Sequence, residues 1–200
     1  MKIKRIQKVA NNSHRYDISV DGNENFFANG ILVHNCTMYN DYIHARSLAD
    51  KKHWSKSWIK NFHGGIAHDI PEEMRFVVEN LYAKHSIKYD DLESYCYGIS
   101  AWMNLTCLDW YTTTDWFELL GIPMVPILYR GIWDEKKIRS IVLDYEKQEG
   151  YVVRLTDSFH YRNFSRSVAK FVRKNHVDQN SHHWFNSVTE INLLKDKGVS

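Results

Sequence analysis

The sequence contains little cysteine, has no long apolar run and has almost no net charge. Its three cysteines, Cys36, Cys96 and Cys107, are odd in number and widely spaced, so we expect no disulfide framework and a reducing, cytoplasmic environment. No run of about 18 apolar residues occurs, as a transmembrane helix would need, and no apolar stretch follows the basic N-terminus, as a secretory signal would need. These shortages argue against a disulfide scaffold, an integral membrane protein and a secreted precursor.

What the sequence does contain favours a packed core. Hydrophobic residues make up 44% of the chain and include seven tryptophans, and 200 residues suit one domain or one domain with a small appendage. The net charge of +2 resides in residues 1–35, which hold five basic and three acidic side chains, because the remaining residues hold 21 of each sign. A nucleic acid bound beyond residue 35 must therefore contact a local basic patch.

The first 35 residues have the pattern of short β elements. Tyr16, Ile18 and Val20 alternate with polar residues, which predicts a half-buried strand, and Asp21-Gly22-Asn23 and Asn29-Gly30 are turn signals. The apolar triplet Ile31-Leu32-Val33 follows the second turn. Because so few residues cannot bury a β core alone, this segment needs a partner segment.

Beyond Cys36 the pattern predicts a mixed α+β domain. Helices are predicted at 55–67, 113–120 and 134–145, the last with Asp134 as N-cap, and strands at 76–78, 124–129 and 151–155. Since helices and strands do not alternate regularly, we expect an α+β arrangement and not a parallel βαβ sheet. Six tryptophans (Trp54, Trp58, Trp102, Trp110, Trp116 and Trp133) are expected in the core.

The tripeptide His34-Asn35-Cys36 combines three reactive groups. The Asn35 side-chain amide can attack its own backbone carbonyl and cut the chain after it, and His34 can transfer the required proton. Cys36 can act as a thiolate nucleophile in acyl transfer. A tripeptide alone would also be consistent with a strand that ends before a loop.

The longer stretch from Tyr16 to Cys36 resembles the two C-terminal blocks of inteins over their whole length. The resemblance implies that residues 1–35 are a C-terminal intein fragment with part of the all-β Hint fold, in which Asn35 cyclises, His34 assists and Cys36 begins the C-terminal extein. Asp17 and Glu24 are further candidates, although each could equally be a solvated acid. Glu24 stands where many inteins have a histidine, which leaves open a chain that only cleaves after Asn35.

Residues 36–200 resemble ATP-dependent RNA ligases of the covalent nucleotidyltransferase superfamily, beginning with Cys36-Thr37-Met38-Tyr39 and continuing to Arg46. In this family that stretch follows a Lys-x-Asp-Gly-Glu motif whose lysine carries AMP, and no Lys-x-Asp-Gly occurs in these 200 residues. The resemblance implies that Arg46 contacts AMP or the 5′-phosphate. It also implies that Glu79, in Glu79-Asn80-Leu81-Tyr82, binds the ribose hydroxyls, and that Tyr97 stacks on adenine.

Two later motifs carry the remaining ligase candidates. Glu149-Gly150-Tyr151-Val152-Val153-Arg154 resembles the motif whose glutamate serves the divalent metal and the phosphate chemistry. In the stretch from Ser167 to His176, Lys170 and Lys174 match the lysines that contact the AMP phosphate, with Lys170 as first choice. The implied cofactors are ATP and Mg²⁺.

Together these resemblances predict a precursor of two parts. Residues 1–35 would pair with an N-terminal intein partner chain that carries the missing motif, an expectation supported by the absence of N-terminal splicing blocks after Met1. Trans-splicing would then join 36–200, an incomplete nucleotidyltransferase domain, to that partner, and the product would seal 5′-phosphate and 3′-hydroxyl ends of RNA. The alternatives are a DNA ligase or capping enzyme, and a non-catalytic nucleic-acid-binding fragment.

Overall fold

The computed structural model describes residues 3–8, 16–20, 27–28, 31–32, 36–44, 54–84, 87–172 and 190–195, with side chains from Cys36 onwards except at 54–56. Twelve strands occur in these ranges: β1 Ile3–Lys8, β2 Tyr16–Val20, β3 Phe27–Ala28, β4 Ile31–Leu32, β5 Cys36–Met38, β6 Ile43–His44, β7 Met74–Asn80, β8 Cys96–Met103, β9 Thr106–Cys107, β10 Gly150–Arg154, β11 Phe159–His160 and β12 Val168–Val172. The α-helices are α1 Trp54–Ile66, α2 Trp110–Leu119, α3 Glu135–Arg139 and α4 Phe164–Ser167. This mixture confirms the expected α+β class for the part beyond Cys36.

The strands before Cys36 form two small antiparallel sheets. β1 pairs with β2, and β3 pairs with β4. The strand predicted around Ile18 is therefore confirmed as β2. The turn signals predicted at 21–23 and 29–30 lie outside the described residues.

A six-stranded antiparallel sheet, in the order β11-β9-β8-β7-β5-β6, forms the centre of the described part beyond residue 35. On β7 the residues Met74, Phe76 and Val78 are buried, and those between them are half-buried. Because side chains alternate between the faces of a strand, β7 turns one face into the main core and the other towards a second layer. The strand predicted at 76–78 is confirmed within the longer β7.

The main core lies between the sheet and the helices α1 and α2. The helix predicted at 55–67 is confirmed as α1, whose Ile59 is fully buried. Helix α2 begins three residues earlier than expected, because the Asp109 carboxylate accepts a hydrogen bond from the Thr112 amide at 3.0 Å and so caps the helix. Phe117 of α2 packs on Gly98 of β8, where a Cβ atom would lie 2.6 Å from the phenyl ring.

A second hydrophobic cluster covers the opposite face of the sheet. Trp102, Cys107 and Phe159 are buried in it, and Val77 of β7 and Val168 of β12 pack against them. β12 pairs with β10 in a separate two-stranded sheet. The second cluster therefore joins this small sheet to the face of β7 that points away from α1 and α2.

Three sequence predictions between residues 124 and 145 are wrong. The strand predicted at 124–129 is reduced to a single bridge between Met124 and Gly98, since Pro126 has no amide hydrogen with which to continue a ladder. The helix predicted at 134–145 ends at Arg139, although Asp134 caps it as expected by accepting from the Lys137 amide. Ile138, at the start of the apolar face that predicted the longer helix, is buried, but Val142 is 93% exposed, so that face is not buried over its whole length. Trp133, expected in the core, is 64% exposed.

The segment 190–195 packs against the loop that follows β7. Asn192 is fully buried, its Nδ2 donates to the Leu81 carbonyl at 2.8 Å, and its Oδ1 accepts from the Tyr89 amide at 2.9 Å. This contact joins residues about 100 positions apart, so no local pattern predicts it. None of the helices in the described ranges has the length and apolar character that crossing a bilayer requires.

Candidate active site

Glu79 lies at the end of β7, on the face of the sheet that is turned towards β10 and β12. It is half-buried and lies opposite Tyr97 of β8. Val77, two residues earlier on the same face, packs in the second hydrophobic cluster. The Glu79 carboxylate therefore lies on β7 next to this cluster, on the same face of the sheet.

Lys170 on β12, like Glu79 on β7, comes two residues after a valine of the second hydrophobic cluster. Val168, two residues earlier, packs in the same cluster as Val77, and alternation puts the Lys170 side chain on that same face. Lys170 pairs with Val152 of β10, and Glu149 comes directly before β10. Two strands that share one apolar cluster thus bring a lysine and two glutamates towards one another.

The electrostatics of Lys170 show that these charges are close. Burial of its ammonium group lowers the pKa of Lys170, and the nearby carboxylates of Glu149 and Glu79 act in the opposite direction. The residue as a whole still remains exposed, so solvent and a ligand can both reach it. The structure therefore brings together Glu79, Glu149 and Lys170, which are up to 91 positions apart in the sequence.

Gly150 allows β10 to approach β12 closely beside this group. A Cβ atom at Gly150 would lie 2.0 Å from the Phe171 carbonyl oxygen, so any other residue would push the two strands apart. Tyr151 and Phe171, on the far side of the small sheet, stack with ring centroids 5.1 Å apart. The glycine next to Glu149 is thus required by the strand pairing that positions Glu149.

Tyr97 is held in place by its hydroxyl group. The Tyr97 oxygen accepts a hydrogen bond from the Glu93 amide at 3.0 Å, and its backbone pairs with Glu79. The ring is half-buried. This is a fixed aromatic side chain next to Glu79, and its stacking on adenine stays a prediction.

Cys36 begins β5 and belongs to the main core. It is 6% exposed and lies opposite Val78, the residue before Glu79. Cys96 on β8 is fully buried, and its pKa is raised mainly by that burial and further by Cys36 and Glu79. Cys36 therefore enters the sheet at the level of the Glu79 end of β7.

The remaining predicted site residues are not described in the same detail. His34, Asn35, Glu24, Arg46 and Lys174 lie outside the described residues. Asp17 lies in β2 opposite Gln7, and its side chain is not described. Their proposed roles stay predictions.

Arg154 is a residue whose importance the sequence did not reveal. Its Nη2 donates to the Leu108 carbonyl at 2.8 Å, and its guanidinium lies 5.5 Å from the ring centroid of Trp110 and 5.7 Å from that of Phe159. The same guanidinium opposes the increase in the Cys107 pKa that burial causes. Arg154 thus fastens the end of β10 to the main sheet, and only its position five residues after Glu149 in the motif could have singled it out.

The chemistry of the charged group fits a phosphate ligand with a divalent cation. A Mg²⁺ ion in phosphate chemistry is held by one or two carboxylates together with substrate phosphates and water, and Glu79 and Glu149 supply two carboxylates beside a lysine. Within the described ranges no three His, Cys, Asp or Glu side chains cluster as a protein-only metal site would need. Two carboxylates beside a lysine suit a metal that is bound together with substrate phosphates.

Comparisons with known proteins identify the family. A family model described as RNA ligase matches residues 19–172, more than three-quarters of the chain, and its match begins inside residues 1–35. The chain is also 34% identical over 79 residues to a DNA polymerase from Thermococcus aggregans, which covers 40% of this chain but only 4% of the polymerase. No solved structure matches. Because this family model matches well over half of the sequence, the chain belongs to the RNA ligase family.

Proposed function

We propose that residues 36–200 are the C-terminal part of an ATP-dependent RNA ligase whose nucleophilic lysine is supplied by a segment that protein splicing joins to Cys36. The observation that carries the ligase part is that Lys170 lies close enough to Glu149 and Glu79 for both carboxylates to raise its pKa against the effect of burial. The membership of the RNA ligase family supports the same reaction class.

The register of β5 supports the place of the missing lysine. Cys36 lies opposite Val78, and β5 runs antiparallel to β7, so a residue bonded to the Cys36 nitrogen in the spliced protein would continue towards Glu79. A Lys-x-Asp-Gly-Glu segment that precedes Cys36 in the spliced protein would therefore lie near the end of the sheet that carries Glu79. The proposed nucleophile would then enter the group formed by Glu79, Glu149 and Lys170.

Each of the three described residues has a role in this proposal. The Lys170 ammonium group neutralises charge on the phosphate under attack, which is the main contribution a protein makes to phosphoryl-type transfer. The Glu79 carboxylate accepts hydrogen bonds from the ribose hydroxyls, and Glu149 holds the metal that accompanies the phosphates. When bound, ATP supplies the AMP group and Mg²⁺ supplies positive charge for its phosphates.

The splicing part of the proposal is a sequence of acyl transfers. The Cys36 thiol takes the upstream acyl group as a thioester, and the upstream intein segment leaves. The Asn35 side-chain nitrogen then attacks its own carbonyl carbon, the bond to Cys36 breaks, and the freed Cys36 amine takes the acyl group from its own sulfur as an amide. His34 donates the proton that the leaving amine needs, and no water is consumed.

The proposed partners are an N-terminal intein chain and RNA. Residues 1–35 carry a net charge of +2, which suits association with an acidic N-terminal fragment through electrostatic steering. RNA ends are sealed only after splicing has completed the active site. The two parts of the proposal are separable, because ligase chemistry and splicing involve different residues.

The ligase part is tested by variants of the joined protein. Lys170→Ala should lower transfer of AMP from labelled ATP to the protein by about 10²–10³-fold, as expected for loss of a group that stabilises charge in the transition state, and Glu149→Gln should lower the Mg²⁺-dependent rate. Lys147→Ala, an exposed lysine before β10, is the matched control. Equal activity of Lys170→Ala and the control would contradict the proposal, and sealing of nicked DNA in preference to RNA would identify a DNA ligase.

A further inference from the structure

The stretch between α2 and β10, which includes α3, carries an exposed set of aromatic, apolar and basic side chains. Within residues 127–139, here called the aromatic–cationic segment, Ile132 is 90% exposed and Trp133 is 64% exposed. The segment holds four basic residues and two acidic ones, whereas residues 36–200 as a whole have no net charge. Arg139 is paired with Glu135 at 2.8 Å, and the other three basic residues (Arg130, Lys136 and Lys137) leave the segment with a local excess of positive charge, as nucleic-acid binding in this part of the chain would require.

Two of the basic side chains lie over aromatic rings. The Arg130 guanidinium is 4.9 Å from the ring centroid of Tyr111, and the Lys137 ammonium is 4.7 Å from that of Tyr129. Tyr129 is fixed by a hydrogen bond from its hydroxyl to the Ile132 carbonyl at 2.9 Å. The rings thus hold the two cations at the surface with their charge available to solvent.

The aromatic–cationic segment is anchored to the strands that carry the candidate active site. Immediately before it, the Val125 amide donates to the Gly98 carbonyl at 3.1 Å, and Gly98 follows Tyr97 on β8. Towards its end, Ile138 is buried and its carbonyl accepts from the Tyr151 hydroxyl at 3.5 Å, and Tyr151 follows Glu149 and Gly150. The segment is therefore attached to β8 next to Tyr97 and to the far side of β10, two residues after Glu149.

We propose that the aromatic–cationic segment binds the single-stranded end of the RNA that is to be sealed, with Trp133 stacking on a base and Arg130 and Lys137 contacting phosphates. The proposal rests on the ligase function proposed above and names the surface that receives the substrate strand. Exposed aromatic rings interleaved with cations are the arrangement with which proteins bind single strands without reading their sequence. A purely apolar protein partner would not explain two exposed cations held over aromatic rings.

The test measures RNA binding by the full, unspliced chain without ATP, so that it does not depend on catalysis. The probe is a labelled single-stranded RNA of about 12 nucleotides, a length within the usual range of such sites, and the readout is fluorescence anisotropy at several salt concentrations. Trp133→Ala should weaken the affinity about tenfold, as loss of one stacked base does. Lys137→Ala should weaken it and reduce the slope of log affinity against log salt by about one.

Two matched controls lie outside the segment. Val142→Ala removes a 93% exposed apolar side chain, and Lys147→Ala removes an exposed charge, and both should bind RNA like the unchanged chain. We expect equal unfolding temperatures for all variants because the altered side chains are exposed. Such a result would exclude misfolding as the cause of weaker binding.

Each result decides the inference separately from the ligase function. RNA binding that is unaffected by Trp133→Ala, or weakened equally by Lys147→Ala, would overturn it, as would self-association of the chain that Trp133→Ala abolishes without any effect on RNA. If Trp133-dependent RNA binding were found but the joined protein failed to accept AMP, the surface would stand and the ligase function would fall. If the joined protein accepted AMP while Trp133→Ala left RNA binding unchanged, the ligase function would stand and the surface would fall.

Discussion

At the scale of single residues, the candidate site depends on Lys170, whose pKa is lowered by burial and raised by two nearby carboxylates. Val168 and Val77 pack in one apolar cluster, and this packing fixes the strand positions of Lys170 and Glu79, which come two residues later. Neither the spacing of these residues nor their type predicts that they meet. Family resemblance predicts them as site residues, whereas their proximity depends on how two sheets pack.

The pKa of Lys170 tests this arrangement directly. Because the Glu149 carboxylate raises the pKa against the larger effect of burial, Glu149→Gln should lower the pKa of Lys170 further. NMR titration of lysine labelled at Cε measures it, and Glu118→Gln, on the exposed side of α2, is the control. An unchanged pKa in Glu149→Gln would show that the two groups are not neighbours.

The same shift predicts a dependence of stability on pH. The charged form of Lys170 is disfavoured in the folded state, so it lowers the free energy of unfolding below the folded pKa. This cost is relieved as pH increases from the lowered pKa to the ordinary value of 10.5. Lys170→Met should therefore flatten the increase in stability over that range of pH, as measured by urea unfolding, and an unchanged profile would contradict the assignment.

At the scale of elements, the strands and helices with a clear period were predictable and the irregular ones were not. The strand predicted at 76–78 lies within the longer β7, and α1 was predicted to within a residue at each end. Between 124 and 145, the predicted strand is reduced to one bridge because Pro126 interrupts the ladder, and the predicted helix begins after Asp134 as expected but ends early, with Val142 exposed. The strand order of the six-stranded sheet depends on contacts between distant residues and leaves no local signal.

The packing of α2 on the sheet gives a prediction at this scale. Gly98→Ala would put a Cβ atom 2.6 Å from the Phe117 ring, and such overpacking should lower the free energy of unfolding by about 1–3 kcal/mol. Gly65→Ala, in α1, meets no atom within 4 Å and should instead stabilise the protein by about 0.5–1 kcal/mol, because alanine favours a helix. Urea unfolding of the two variants tests both signs, and equal effects would contradict this packing.

At the scale of the whole molecule, the proposed splice junction and the ligase sheet share a residue. Cys36 is the proposed acyl acceptor and is also a buried member of the main core. In the proposed splicing reaction the Cys36 thiol attacks an acyl group, which would require the start of β5 to open transiently from the sheet. The sequence predicts the reactivity of Cys36 but not its burial, which results from pairing with a strand 42 positions away.

Thiol labelling measures this burial. All three cysteines are buried, and burial raises the pKa of both Cys96 and Cys107, so a thiol reagent should modify the folded chain slowly and all three thiols rapidly in denaturant. Mass mapping identifies the position that reacts first. Fast labelling of Cys36 under native conditions would contradict its place in the core.

The measurement that tests the central claim most directly follows intact mass after this chain is mixed with an N-terminal intein chain that ends in a Lys-x-Asp-Gly-Glu extein. We predict a product equal in mass to the two exteins, without residues 1–35, which gains the mass of one AMP when ATP and Mg²⁺ are added. Asn35→Ala and Cys36→Ala should prevent its formation, and Lys170→Ala should splice but acquire AMP far more slowly. A spliced product that never acquires AMP would contradict the ligase assignment. If the chain without any substitution stayed intact in the mixture, that result would contradict splicing.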